Sequence, residues 1–84
     1  MKYRVVINKQ AFKVLQKIND PEYSSIKKAI YNLADNPRPN GYKKLKGTDA
    51  YRIRVGDYRV IYEIIDKILL VDVIDVGHRK DIYE

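Results

Sequence analysis

The order of apolar and polar residues divides the chain into six elements. Lys2 to Ile7 (KYRVVI) is rich in β-branched residues and short enough for a first strand. Asn8 can cap a helix whose apolar positions Ala11, Val14, Leu15 and Ile18 follow the i, i+3, i+4, i+7 pattern. Asp20-Pro21 reads as an N-cap followed by proline at the first helical position, and Tyr23, Ile26, Ile30 and Leu33 form the stripe of a second helix. Asn36-Pro37 ends it, because a residue before proline resists the α region. Arg38 to Thr48 (RPNGYKKLKGT) is a connecting loop, marked by Pro39, Asn40-Gly41 and Gly47. Three strands follow at Tyr51–Val55, Tyr58–Ile65 and Ile68–Val76, with tight turns at Gly56-Asp57 and Asp66-Lys67. Gly77 ends the last strand, leaving a short tail, His78–Glu84.

Strand register then sorts the side chains. Strict alternation in Tyr51-Arg52-Ile53-Arg54-Val55 points both arginines the same way. Glycine at the first central position of Gly56-Asp57 suits a II′ turn, which pairs Val55 with Tyr58 and Arg54 with Arg59. Cross-strand partners share a face, so Arg52, Arg54 and Arg59 are predicted together. Like charges directly opposite one another destabilise a hairpin. The cluster is either a solvated outer face or a site for something polyanionic. Tyr51, Ile53, Val55, Tyr58, Val60, Tyr62, Ile64, Leu69, Val71 and Val73 share the other face, which should pack on the helices. The arginine face also carries Ile61, Glu63, Leu70, Asp72 and Ile74, a mixture that invites partial cover. The order βααβββ predicts an α+β fold in two layers, a helical hairpin on a four-stranded antiparallel sheet.

Composition narrows the choices. At 84 residues the chain is one domain, residues 1–84, with one modest core. The absence of cysteine excludes a disulfide framework and Cys-based zinc sites, and a single histidine excludes a His-rich metal site. No apolar run approaches the length of a membrane span and no signal sequence opens the chain, so a soluble, cytoplasmic protein is expected, away from membranes. The net charge is +6, unevenly spread. Residues 38–59 hold seven Lys/Arg against two acids, whereas residues 60–84 hold three against six. A basic patch on strands and a loop suits phosphate backbones or an acidic protein partner.

Candidate chemistry follows from what the chain lacks and has. It has no GxSxG, no HExxH and no phosphate-binding glycine loop. Glu63 and Asp72 lie on the arginine face, where ion pairing with Arg52 or Arg59 is their simplest role. Cations, one histidine and a tyrosine suffice for RNA cleavage by the RNA's own 2′-hydroxyl. That reaction needs an acceptor for the 2′-OH proton, positive charge for the phosphorane and a donor for the leaving 5′-oxygen. A ring that stacks on a base would hold the in-line geometry. Arg52, Arg54, Arg59, His78, Arg79 and Tyr83 supply these groups, with Ile74 opposite Arg59 so that His78 and Arg79 curl back over the patch. Each has a plainer alternative: His78 as a surface turn residue, Tyr83 as a frayed end or an edge cover. Lys43, Lys44 and Lys46 either keep a loop soluble or bind RNA backbone.

The segments Asn36-Pro37, KKLKG (Lys43–Gly47), YRIRVGDYRVIYEI (Tyr51–Ile64) and VIDVGHRKDIY (Val73–Tyr83) resemble the RelE/ParE superfamily of toxins, over essentially the whole chain. For the RelE branch the resemblance implies a small ribosome-dependent endoribonuclease that cuts mRNA in the A site. It also implies a cognate antitoxin, RelB-like or another small acidic protein, encoded beside the toxin, and no cofactor or metal. Carried over, the working positions are Arg52, Arg54, Arg59, Arg79 and Tyr83, and Lys46 matches a basic loop position associated with RNA contact. The best-known RelE pattern has lysines at positions 52 and 54. Arginine stays protonated and is a poor base, so Arg52 and Arg54 are assigned to phosphate. His78 is then the proton-transfer group, Arg79 the electrostatic acid and Tyr83 the stacking residue. The ParE branch shares the fold but binds and poisons DNA gyrase without cutting RNA.

Overall fold

The computed structural model describes residues 2–78. Arg79 and Tyr83 lie outside the described residues. Along the chain run β1 (Arg4–Ile7), α1 (Lys9–Gln16), α2 (Glu22–Asn32), β2 (Lys43–Lys44), β3 (Ala50–Val55), β4 (Tyr58–Ile65), a 3-10 turn (Asp66–Ile68) and β5 (Leu70–His78). The strands form one sheet in the order β1-β5-β4-β3-β2, with both helices on one face. The α+β class is as predicted. Two details of the predicted four-stranded antiparallel sheet are not.

Both differences have one origin. The loop at Arg38–Thr48 contains a two-residue strand, β2, whose Lys43 and Lys44 pair with Arg52 and Tyr51. Each short connection between packed elements reverses the chain. Without β2 there are five reversals from β1 to β5, which would make those strands antiparallel. With β2 there are six, and β1 pairs parallel with β5, Arg4 opposite Leu70 through Ile7 opposite Val73. A strand too short to show periodicity thus sets the direction of the sheet's far edge.

Local chemistry explains both helix starts. The Asn8 carboxamide oxygen accepts from Ala11 N–H at 2.9 Å, capping α1 as expected. Helix α2 starts one residue later than the Asp20-Pro21 signal suggests. The Asp20 carboxylate still serves its first turn, accepting from Ser24 N–H (3.0 Å) and Ser24 Oγ–H (2.6 Å). Ala11 and Leu15 of α1, and Ile26, Ile30 and Leu33 at α2, bury against Ile53, Val60, Tyr62, Val71, Val73 and Val76 of the sheet. Burial pushes the Tyr62 hydroxyl far above its usual pKa, and that hydroxyl donates to the Pro37 carbonyl at 2.8 Å. The contact pins the chain as it leaves α2.

The two hairpins depart differently from expectation. Between β3 and β4 the register is the predicted one, Val55 opposite Tyr58 and Arg54 opposite Arg59, with Gly56 at φ +60°. Between β4 and β5, Asp66-Lys67 offers no glycine or asparagine for a two-residue turn. The chain instead makes a 3-10 turn and closes it through Leu69 at φ +51°. Strand β5 consequently starts at Leu70 rather than Ile68, and Ile65 pairs with Leu70. Leu69, predicted in the core face, belongs to the turn. A bulge follows: Tyr62 pairs with Val73 but Ile61 with Asp75, leaving Ile74 as the extra residue. Val76 therefore joins the core, and β5 runs on through Gly77 to His78.

Candidate nucleic-acid interface

Register and alternation place the predicted site residues. At one end of the sheet, on the face away from the helices, Arg54, Arg59 and Gly77 lie side by side across β3, β4 and β5. Directly opposite residues of an antiparallel pair have Cα atoms about 4.5–5.5 Å apart, so the first two guanidinium stems are immediate neighbours. Glycine at the third place puts no side chain beside Arg59. Arg54 is exposed, and Arg59 is half-buried with its Nε wholly covered. One row further in, β2 adds Lys43 beside Arg52, so this lysine joins the arginine face. Lys44 pairs with Tyr51 and faces the other way, while Lys46 sits in the exposed hairpin tip before β3. The structure thus brings together Arg54, Arg59, Arg52 and Lys43.

Two site residues depart from the sequence reading, Arg52 in its exposure and His78 in its position. Arg52 is only 5% exposed, next to Ile61, itself 6% exposed, across the β3–β4 ladder. An arginine so enclosed packs its aliphatic stem among its neighbours, whereas Arg54 stays exposed. The second correction concerns His78. The extra residue in β5 inverts the alternation beyond the bulge, so His78 pairs with Tyr58 and stands on the helix side of the sheet. Its ring meets the Tyr58 ring edge-on, centroids 5.4 Å apart, and lines a groove with Gln10 and Val14 of α1 and Lys17 at that helix's C-cap. It does not join the guanidiniums. The run VIDVGH carries one trace of the bulge, since unbroken alternation after Val73 would turn Asp75 to the helices, where the extra residue places Val76 instead.

Acids and a distant clamp complete the electrostatics. Glu63 and Asp72, expected as partners for Arg52 or Arg59, lie directly opposite each other on β4 and β5. At the far end of the sheet Arg38 grips both carboxylate oxygens of Asp66, at 2.9 and 3.3 Å, and the Tyr3 hydroxyl donates to the same group. The Arg38 guanidinium, then the Tyr3 hydrogen bond, hold the Asp66 carboxyl below the usual carboxylate range. Sequence reasoning missed this clamp because its members are far apart in the chain.

Known proteins share this architecture. A family model described as the ParE toxin of the type II toxin-antitoxin system parDE matches residues 5–83. A protein named RelE1 from Methanocaldococcus jannaschii is 35% identical over 84% of this chain and 86% of its own length. The mRNA interferase toxin RelE of Escherichia coli K12 is 29% identical over 95% of this chain and 86% of its own. Among solved structures, the toxin of the archaeal RelE–RelB complex from Pyrococcus horikoshii superposes with a TM-score of 0.84 at 36% identity, covering 94% of this chain and 97% of that one. On the family match, these identities and a common sheet topology, the chain belongs to the RelE/ParE superfamily of toxins of type II toxin–antitoxin systems.

Proposed function

We propose that this toxin is a RelE-type endoribonuclease that cuts mRNA in the ribosomal A site and is held silent by a cognate antitoxin. The observation that carries the reading is the Arg54–Arg59 pair, two guanidiniums on adjacent strands at the end of the face away from the helices. Side by side they fit the non-bridging oxygens of one phosphate, as bidentate guanidinium recognition favours. The 2′-hydroxyl passes its proton to water as its oxygen bonds to phosphorus. The bond to the 5′-oxygen breaks and that oxygen takes a proton from water, leaving a 2′,3′-cyclic phosphate. The charge on the phosphorane is met by fixed cations. These cations take the part that a metal ion plays in other nucleases. Holding attacking oxygen, phosphorus and leaving oxygen in line supplies the remaining acceleration. Lys43, on the same face, and Lys46 at the hairpin tip continue the cationic track for the RNA backbone. From the family resemblance, Arg79 stabilises the leaving oxygen and Tyr83 stacks on a base. His78, on the other side of the sheet, takes no part.

The antitoxin half of the reading rests on chemistry and on relatives. A cationic sheet face suits an acidic or amphipathic segment. Solved relatives from Pyrococcus horikoshii and Escherichia coli are RelE–RelB complexes, the latter 30% identical with a TM-score of 0.78. One observation favours a second reading: the matching family model is that of ParE toxins, which points to a gyrase-binding toxin without nuclease activity. Relatives named mRNA interferase favour the nuclease. Purified toxin with translating ribosomes decides between them. Codon-positioned cuts that disappear in Arg59→Ala support the nuclease, whereas intact mRNA together with stalled gyrase cleavage complexes supports the ParE-like reading.

A further inference from the structure

Strand β2 ends after two residues, and what lies beyond it is a pocket. The turn from Pro39 to Tyr42, closed by Tyr42 N–H to the Pro39 carbonyl at 3.0 Å with Gly41 at φ +87°, swings the chain away from β3. The gap between that turn, the end of α2 and the edge of β3 is an open pocket of about 480 Å³. Small-ligand sites run from roughly 300 to 1,000 Å³. Leu33 and Ile53 floor it with apolar surface, and Asn32, Asn36 and Asn40 rim it with carboxamides. The Asn36 carboxamide oxygen Oδ1 accepts from Arg38 N–H at 3.1 Å, which leaves the side-chain NH2 as the group on offer. Alternation that turns the Ala50 carbonyl outward to Leu45 N–H turns the main-chain groups of Arg54 the same way, toward the pocket.

We infer that this pocket takes a nucleobase of the RNA, the one next to the phosphate held by Arg54 and Arg59, and so sets which base the toxin prefers beside its cut. An apolar floor with amide donors and acceptors around it matches the flat faces and polar edges of a base. Arg54 belongs both to the pocket wall and to the cationic row, so phosphate and base sit on either side of one residue. Single-stranded RNA turns a base outward at little cost. The assignment rests on the nuclease reading, and its test separates the two. The isotopically labelled chain is titrated with adenosine, guanosine, cytidine and uridine 5′-monophosphates. Shifts centred on the Asn32, Asn36 and Asn40 carboxamides are expected, with one base binding about tenfold tighter than the weakest. They should be lost in Ala29→Phe, which fills the pocket from α2, and weakened in the milder Asn40→Ala. In ribosome cleavage, the ratio of preferred to disfavoured base beside the cut should fall by about tenfold in Ala29→Phe and by a smaller factor in Asn40→Ala. No shifts at those carboxamides up to about 10 mM nucleotide would overturn the inference, and so would an unchanged base preference in folded variants. A wild-type chain that never cuts mRNA would instead sink the nuclease reading, and the titration alone would then decide what the pocket holds.

Discussion

The hairpin β3–β4 and the hairpin β4–β5 share a strand, yet only the first is governed by its turn residues in a readable way. Gly56 has the conformational freedom that a two-residue turn demands, so the register of Arg54 and Arg59 is fixed locally. The second turn lacks such a residue and lengthens, and the bulge at Ile74 adds one more displacement downstream. A shift by two leaves every side chain on its own face, whereas the single extra residue exchanges faces. Arg54 and Arg59 therefore stand where alternation puts them, and His78 does not.

Mutation can break or sharpen that contrast. The largest effect belongs to the first hairpin: Arg54→Ala and Arg59→Ala should each lower mRNA cleavage by about 100-fold or more, measured by primer extension on translating ribosomes. Cleavage within a fewfold of wild type in either variant would remove the phosphate grip from this row. Arg52→Ala should act through the fold instead, lowering stability by about 1–3 kcal/mol because the site is buried. That corresponds to a fall of several degrees in melting temperature, whereas Arg54→Ala should melt like the parent. Gly56→Ala forces a side chain into the left-handed region and should destabilise by about 1–2 kcal/mol in urea unfolding. Asp66→Asn tests the distant clamp. Because the native carboxyl titrates below its unfolded value, its stabilisation is present above about pH 4 and fades as pH falls through the native pKa. The melting-temperature gap between wild type and Asp66→Asn should thus be open at neutral pH and closed in acid. Smallest of all should be His78→Ala, with cleavage within about threefold of wild type. A large loss there, with melting unchanged, would restore histidine to the chemistry.

Legibility followed the range of the forces involved. Helix stripes at Ala11, Leu15, Ile26 and Ile30, the cap at Asn8 and the β3–β4 register rest on contacts within a few residues, and all are as expected. The strand β2 was hidden, because two lysines carry no period and the pairing exists only once β3 is in place. Its absence from the reading also misdirected β1. Burial of Arg52 was equally invisible, since alternation assigns a face but says nothing of what covers it. In the sequence Asn36 reads as a helix stop and Asn40 as a loop residue, and only the swing of the chain at Pro39 makes them neighbours of Asn32.

The Tyr3–Asp66–Arg38 clamp has a practical corollary for watching this toxin at work. It secures the amino-terminal segment beside the β4–β5 turn, and the stretch of β4 from Arg59 to Ile65 sets Arg59 about 20 Å from that turn. The chain contains no cysteine, and the Lys2 side chain is 79% exposed at this remote end. A fluorophore on a Lys2→Cys variant would therefore sit at a single known address, reporting complex formation by its tumbling while leaving the cationic row untouched.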